Sequence, residues 1–319
     1  MTKIEPGRHI LFASTGGHLA QLVKWSSTIG SADDSLWVTF DSPQSRSLVG
    51  HRNHLYVPYI PPRGIHQAVK SLPVLIRDIN WRDGGFNAAV STGAALALPA
   101  LTLSRVRGIP SYYIESVSRV EGPSLSGKIL SWLPGIDMSC QHANWARGKW
   151  SYRGTVLEQY ERMPKPKIER PRLFVTLGTI KPYRFDSLVD AILDSGLADD
   201  RTVWQLGCTE RTDLPGEVHA QMRGPEFDAA ASNADLIITH AGVGTILKFL
   251  DMGIYPVVVP RRRARGEHVD DHQLQIASVV SDQMTGAVMF PEEITASALL
   301  DATGYVIRDD RYSLPASNL

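Results

Sequence analysis

A glycine loop that begins with a histidine has the clearest chemistry in this sequence. His240-Ala-Gly-Val-Gly-Thr245 lies between the apolar run 235–239 and a helical pattern at 246–252. This order predicts a strand, a tight turn and a helix start, which together point free backbone N–H groups and a partial positive charge at one spot. A phosphate or diphosphate is the expected occupant. The alternative is an ordinary βα turn without a ligand.

A second glycine loop near the N-terminus favours the ligand-binding interpretation. Ser14-Thr-Gly-Gly-His18 follows a strand-like run at 9–13 and opens a helical pattern at Leu19, Leu22 and Val23. Two glycine turns therefore begin two halves of similar size. Neither has the spacing of a dinucleotide fingerprint or a P-loop, so the sequence supports neither a nicotinamide cofactor nor ATP hydrolysis. It favours nucleotide-sugar chemistry.

Bulk properties narrow the class of protein. The length of 319 residues suits two domains, and the balance of 33 basic and 33 acidic residues gives no support for nucleic-acid binding. The two cysteines, Cys140 and Cys208, are not at zinc-ligand spacing and suit a reducing compartment. There is no signal-peptide pattern, and the longest apolar run, 94–103, is too short to span a bilayer. We expect a cytoplasmic protein.

Short apolar runs alternate with helical patterns along the chain, which predicts an α/β fold with parallel strands and crossover helices. The proline-rich, charged stretch 161–171 predicts a linker between domains 1–160 and 172–319. We expect two Rossmann-like, doubly wound domains facing a cleft, with both glycine loops at the carboxyl ends of their strands. The predicted strands are 10–13, 36–40, 55–59, 88–91, 112–115, 136–139, 173–177, 202–206, 236–239 and 256–259.

Several motifs resemble those of family 28 glycosyltransferases, which have the GT-B fold. The second half resembles their donor-binding half and the first half their acceptor-binding, membrane-associated partner. In the dolichol-diphosphate N-acetylglucosaminyltransferase and in bacterial exopolysaccharide systems these halves are separate subunits, whereas here they look fused. The motifs are Ser14-Thr-Gly-Gly-His18, Tyr113-Ile-Glu-Ser-Val-Ser-Arg-Val120, Ser124-Leu-Ser-Gly-Lys128, Phe174-Val-Thr-Leu-Gly-Thr179, Ala234-Asp-Leu-Ile-Ile-Thr-His-Ala-Gly-Val-Gly-Thr245 and Pro260-Arg-Arg-Arg-Ala-Arg-Gly-Glu-His-Val-Asp-Asp-His-Gln273.

The resemblance implies an inverting, metal-independent glycosyltransferase without a cofactor. It would move a sugar from a UDP-sugar to a polyprenyl-diphosphate-linked saccharide, at the inner face of the cell membrane, in exopolysaccharide or cell-surface glycan synthesis. The donor sugar stays open, although the arginine cluster 261–265 favours an acidic one. Two alternatives are a UDP-sugar 2-epimerase of GT-B-like fold and a non-catalytic nucleotide-sugar binding module.

For the donor site, the resemblance implies contacts from the two loops of the second half and from the segment that follows. One departure concerns the ribose: related enzymes carry a glutamate where this chain has Lys248, which cannot accept hydrogen bonds from hydroxyls. Either Asp251 takes that role or the ribose is held differently. The implied donor residues are Gly178, Thr179, His240, Gly242, Gly244, Thr245, Glu267, His272 and Gln273.

For the acceptor site, we predict His18 as the general base and Glu115 as the second candidate. The start of a helix favours a neutral imidazole, and Glu115 could instead pair with Arg119. The segments 65–77 and 125–133 mix apolar residues with cations, which suits either peripheral membrane contact or ordinary core helices. The implied acceptor-binding residues are Gly16, Gly17, Thr92, Gly93, Arg119 and Lys128.

Overall fold

Parallel strands alternate with helices in two units, Met1–Val156 and Leu157–Leu319, and each unit has its own sheet. The computed structural model describes residues 3–61, 64–82, 84–179, 181–269 and 271–309. This architecture confirms the predicted fold class, with a Rossmann-like arrangement in both units.

The first unit has a seven-stranded parallel sheet in the order β3-β2-β1-β4-β5-β6-β7. Its strands are β1 (His9–Phe12), β2 (Leu36–Phe40), β3 (His54–Val57), β4 (Ala88–Ser91), β5 (Ser111–Ile114), β6 (Ile136–Cys140) and β7 (Trp150–Tyr152). Its helices are α1 (Gly17–Thr28), α2 (Pro43–Val49), α3 (Ile65–Lys70), α4 (Leu72–Asp78), α5 (Ala97–Val106) and α6 (Leu125–Trp132).

The second unit has a six-stranded parallel sheet in the order β11-β10-β9-β12-β13-β14 and an antiparallel pair, β8 with β15. Its strands are β8 (Tyr160–Pro164), β9 (Leu173–Thr176), β10 (Val203–Gln205), β11 (Glu217–His219), β12 (Leu236–His240), β13 (Val257–Val259), β14 (Ala287–Val288) and β15 (Tyr305–Asp309). Its helices are α7 (Asp186–Asp194), α8 (Gly224–Asn233), α9 (Val243–Asp251), α10 (His272–Asp282) and α11 (Ala296–Ala302).

The central strands are apolar on both faces because helices cover both sides of each sheet. Every residue of β1, β4, β9 and β13 is buried. The helices bury one face only: α9 turns Ile246, Leu247, Phe249 and Leu250 inward and leaves Lys248 partly exposed. All ten predicted strands are found, to within one or two residues at their ends.

In both parallel sheets the strand order reverses beside the strand that comes first in the chain. The first unit switches between β1 and β4, and the second between β9 and β12. Ligands of open α/β sheets bind at the carboxyl ends of strands beside such a switch point. The glycine loops after β1 and β12 are therefore where the topology favours a ligand.

The stretch 161–171, predicted as a linker, belongs to the second unit. Its first four residues are part of β8, which pairs with β15, and Lys165 N–H donates to the Gly304 carbonyl over 2.8 Å. Pro164 is tolerated because this two-stranded sheet consists of edge strands. The contact map divides the units at Val156 and Leu157.

No helix in the described part of the chain is long and apolar enough to cross a membrane. Both cysteines are free thiols, with Cys140 buried and Cys208 partly exposed. The two segments with membrane-contact potential fold as α3 with α4 and as α6.

Candidate active site

A histidine packs against a glycine at the switch point of each sheet. In the first unit, His18 in the first turn of α1 lies against Gly93, which follows β4. In the second unit, His240 at the end of β12 lies against Gly178, which follows β9. Each unit thus places one imidazole at the edge where its fold favours a ligand.

Two reciprocal hydrogen bonds hold His18 to Thr92. The ring Nδ1–H donates to the Thr92 carbonyl over 2.7 Å, and the Thr92 hydroxyl donates to the His18 carbonyl over 2.7 Å. Because a carbonyl only accepts, Nδ1 carries the proton of the neutral ring and Nε2 carries the free lone pair. Thr92 is fully buried, so its role is to position His18.

Burial lowers the pKa of His18 below its usual value of 6.5. The Thr92 carbonyl and the charge of Glu115 oppose this shift, and the charge of Arg119 adds to it. His18 is therefore neutral at physiological pH, with a lone pair on Nε2 that can take a proton. This is the state that a general base requires.

The glycines of the first unit make room for this ring and for a ligand. A Cβ on Gly93 would lie 3.0 Å from His18 Nδ1, and the φ of Gly93 is +118°. Gly16 has a φ of +89° and open space where its Cβ would lie. The Gln44 side chain bonds both the N–H and the carbonyl of Gly16, over 2.5 and 3.0 Å. The amide of Gly17, which begins α1, is therefore better placed to meet an anion than that of Gly16.

Glu115 is fully buried, and its two carboxylate oxygens accept four hydrogen bonds from neighbouring residues. Oε1 accepts from the Tyr113 hydroxyl and the Ser116 N–H, both over 3.1 Å. Oε2 accepts from the Ser124 N–H and hydroxyl, over 2.8 and 2.9 Å. Ser124 is the N-cap of α6, so Glu115 anchors the start of that helix. The geometry favours His18 over Glu115 as the base.

Arg119 and Lys128 are the cations predicted for the acceptor. Arg119 does not pair with Glu115 within the described residues; its side chain is partly buried and close enough to influence the pKa of His18. Its carbonyl accepts from the Trp145 indole over 2.9 Å. Lys128 lies one turn into α6 and is exposed. Of these two cations, Arg119 is the one whose charge acts on the candidate base.

A buried amide network that the sequence did not reveal supports this site. Gln21 on α1 donates to Ser116 Oγ over 3.0 Å and accepts from the Val117 N–H over 2.9 Å. Gln141 donates to Gln21 over 2.8 Å and to the Glu115 carbonyl over 2.9 Å. These bonds tie α1 to the ends of β5 and β6. The only signal in the sequence is a glutamine on the apolar face of α1.

In the second unit, His240 is enclosed by two glycines. A Cβ would lie 2.6 Å from His240 Nε2 if built on Gly178 and 2.4 Å if built on Gly242. Burial, with a further contribution from the charge of Arg261, lowers the pKa of His240 to about 3. The Thr176 carbonyl opposes the shift, but Nδ1 is buried without a hydrogen bond of good geometry to the described residues.

Gly242 is the N-cap of α9, and no side chain caps this helix start. Gly244 and Thr245 lie in the first turn, where the backbone N–H groups have no partner within the helix. Gly178 has a φ of +74°, and Thr179 beyond it is exposed. The predicted phosphate-facing residues therefore lie together around His240.

Two predicted donor residues instead bond within the loop that follows β13. Glu267 is buried and accepts from the Ser187 hydroxyl over 2.5 Å and from the Arg262 N–H over 3.0 Å, which closes the arginine loop. Gln273 Oε1 accepts from the Arg261 N–H over 2.9 Å. The NH₂ group of the same amide therefore points away from Arg261, where it can act as a donor. His272 begins α10 and is partly buried, whereas Asp270 lies outside the described residues.

Lys248, at the position where related enzymes carry a ribose-binding glutamate, forms an ion pair with Asp228 and lies 4.9 Å from the centre of the Phe227 ring. Asp251, the alternative for the ribose, accepts from the Tyr160 hydroxyl over 2.6 Å at the far end of α9. This bond makes Asp251 a poor candidate for the ribose. No group of three His, Cys, Asp or Glu side chains in the described ranges could hold a metal ion.

Comparison with known sequences finds a family match around the His240 glycine loop. Residues 218–303 match the glycosyltransferase family 28 C-terminal domain. Two relatives share the name UDP-N-acetylglucosamine–N-acetylmuramyl-(pentapeptide) pyrophosphoryl-undecaprenol N-acetylglucosamine transferase. The protein from Corynebacterium efficiens is 24% identical over 230 residues, 67% of this chain and 62% of the relative. The protein from Synechococcus sp. strain WH7803 is 24% identical over 280 residues, 82% of this chain and 78% of the relative.

Solved structures of similar fold cover both units. MurG of Acinetobacter baumannii has a TM-score of 0.53 at 17% identity and covers 93% of this chain and 89% of its own. The spinosyn rhamnosyltransferase SpnG has a TM-score of 0.56 at 13% identity, with 93% and 95% covered. The calicheamicin glycosyltransferase CalG4 has a TM-score of 0.52 at 16% identity, with 93% and 89% covered. These similarities show the fold.

Proposed function

We propose that this chain, which has the GT-B fold and a family 28 C-terminal domain in its second unit, transfers a sugar from a UDP-sugar to a polyprenyl-diphosphate-linked saccharide. The observation that carries the proposal is the uncapped glycine turn at His240–Gly242, within the family match, at the switch point of a parallel sheet. Such a turn is suited to the diphosphate of a nucleotide sugar.

The first unit supplies the base. His18 Nε2 takes the proton from the acceptor hydroxyl as that oxygen forms a bond to C1 of the sugar. The bond from C1 to the β-phosphate oxygen breaks, and UDP leaves with the electron pair. The imidazolium that forms is stabilised by the Thr92 carbonyl at Nδ1–H and by the nearby charge of Glu115.

The second unit holds the donor. The amides of the first turn of α9 face the diphosphate, and the oriented Gln273 amide donates to a sugar hydroxyl. The amide of Gly17 and the guanidinium of Arg119 would meet the diphosphate of the lipid acceptor. Protein groups then neutralise the negative charge of both diphosphates, so the mechanism needs no metal ion.

The lipid-linked acceptor calls for contact with a membrane surface, and α6 is suited to it. Leu125 and Trp132 are 56% and 79% exposed at its two ends, with Lys128 exposed between them. Exposed apolar and cationic side chains on one helix suit an anionic lipid surface. The protein would then act peripherally on the inner face of the cell membrane. Weaker sedimentation of a Leu125→Ser, Trp132→Ser double variant with anionic vesicles would support this contact, and unchanged sedimentation would contradict it.

The form of the segment from Pro260 to Gln273 resembles the bacterial exopolysaccharide type, so we place the product in exopolysaccharide or cell-surface glycan synthesis. The test incubates the protein with a panel of UDP-sugars and a membrane lipid extract and identifies products by mass. A lipid-linked product one sugar larger, formed from one donor, is expected. UDP must also be released only when the acceptor is present. An altered UDP-sugar without acceptor would indicate the 2-epimerase, and binding without turnover would indicate a binding module.

A further inference from the structure

Arg261 is a fully buried arginine with unused hydrogen-bond donors. It follows β13, and its guanidinium reaches the Leu177 carbonyl at the end of β9. Its Cζ lies 5.3 Å from the centre of the Phe185 ring. Nε and Nη1 are buried and have no hydrogen-bond partner in the described structure. The side chain therefore crosses the carboxyl edge of the sheet beneath the turn that contains Gly178.

The charge of this guanidinium has no partner of opposite sign in ion-pair contact within the described residues. Two acidic groups raise its pKa, first Cys208 and then Glu267, and Glu267 uses its carboxylate oxygens on Ser187 and on the Arg262 N–H. Beside it lies the neutral imidazole of His240, whose pKa the charge of Arg261 helps to lower. A buried charge without a counter-ion destabilises a fold. The buried charge of Arg261, with two donors free, beside an uncapped helix start indicates that an anion completes this site.

The other arginines of the cluster have different surroundings. Arg265 pairs with Glu292 over 2.8 Å, and Arg262 lies 5.7 Å from the centre of the Phe290 ring. Arg263 is exposed; its backbone N–H donates to Asp271 and its carbonyl accepts from the Gly266 N–H, both over 2.9 Å. Arg261 is thus distinguished from its neighbours by complete burial and by its position beside the His240 loop.

We propose that Arg261 is the counter-charge for the diphosphate of the donor, a role that rests on the proposed use of a UDP-sugar. When the sugar–phosphate bond breaks, the electron pair stays on the β-phosphate oxygen, whose negative charge rises. A fixed positive charge in a water-poor site stabilises that change without reorganisation. Arg261 therefore strengthens binding of UDP relative to uridine and assists departure of the leaving group.

The test is calorimetry of UDP and uridine with the wild type, Arg261→Met and the matched control Arg263→Met. Loss of a charged hydrogen-bonding group predicts a roughly ten- to hundredfold weaker UDP affinity in Arg261→Met. Uridine affinity should stay unchanged, and Arg263→Met should bind both ligands like the wild type. UDP should raise the melting temperature of Arg261→Met less than that of the wild type.

An equal loss of uridine and UDP affinity in Arg261→Met would overturn the proposal, because it would show that Arg261 only shapes the loop. Unchanged UDP affinity would overturn it as well. If Arg261→Met does not fold, Arg261→Lys and Arg261→Gln test the charge role instead. The lysine variant should keep most of the preference for UDP over uridine, and the glutamine variant should lose it. Equal preferences in the two would refute the charge role. Failure of the wild type to bind UDP would instead refute the proposed function.

Discussion

Replacement of His18 by alanine is the sharpest test of the mechanism. The variant removes the Nε2 lone pair that His18 presents at the first switch point and changes no residue of the second unit. Loss of a general base lowers turnover by about a hundredfold to ten-thousandfold. Donor affinity should change little, because the donor residues belong to the other unit. The measurement is UDP release at saturating UDP-sugar and saturating lipid-linked acceptor.

The same variant also affects stability, by an amount that the structure allows us to estimate. Without the imidazole, the buried Thr92 carbonyl loses the Nδ1–H donor that lies 2.7 Å away. An unsatisfied buried acceptor costs about 1–3 kcal/mol, so the melting temperature should fall by several degrees. Kinetics must therefore be measured below the new transition. Thr92→Val is a useful comparison, because it keeps the carbonyl and removes only the hydroxyl bond to the His18 backbone.

The pH profile provides a second readout. His18 must be neutral to act, so turnover should fall as the pH drops through its pKa. Since burial lowers that pKa below 6.5, the acidic limb should lie below pH 6.5. The limb should disappear in His18→Ala. Full turnover of His18→Ala at saturating acceptor would refute the assignment. Such a variant would have a raised KM for the acceptor and an unchanged kcat, which would limit His18 to acceptor binding.

Four further outcomes are expected. Gly242→Val should abolish UDP binding with the fold retained, because its Cβ would lie 2.4 Å from His240 Nε2; unchanged calorimetric affinity would contradict the phosphate loop. Glu115→Gln should lower the unfolding free energy by about 1–3 kcal/mol, since its NH₂ must face the N–H of Ser116 or Ser124; lost turnover with unchanged stability would return the base role to Glu115. His240 has a pKa of about 3 in the folded chain against 6.5 unfolded, so acid protonates the unfolded state first. Its contribution to stability is complete above pH 6.5 and falls by about 2 kcal/mol between pH 6.5 and 5, a loss that His240→Gln should lack in denaturant titrations. EDTA should leave turnover intact, and restoration of lost activity by a divalent cation would contradict the metal-independent mechanism.

The features that sequence predicted well are those encoded locally. Apolar runs such as 236–239 and 256–259 are strands because both faces of a parallel sheet are covered, and a run of that kind needs no distant partner to be recognised. The two glycine loops could also be recognised from local sequence, since a tight turn before a helix requires glycine. Five strands were not predicted: the pair β8 and β15, and β7, β11 and β14, which are short and lie at the edges of their sheets.

Features that depend on distant partners could not be predicted. The stretch 161–171 looks like a linker because of its prolines, yet β8 forms since β15, over a hundred residues later, pairs with it. Glu115 resembles a catalytic carboxylate in the sequence, whereas its four donors come partly from Ser124 at the start of a helix. Nothing in the run 261–265 distinguishes the buried arginine from its exposed neighbours. Only three-dimensional packing does so.

The surroundings of the two histidines separate a base from a binding group. Both imidazoles are neutral at physiological pH, but for different reasons. His18 has a carbonyl on Nδ1–H and a carboxylate nearby, which stabilise the cation formed when Nε2 takes a proton. His240 has a buried cation beside it and a pKa of about 3, so it is too weak a base to accept a proton during turnover. We therefore propose His18 for proton transfer and His240 as a neutral hydrogen-bonding ring that meets the donor.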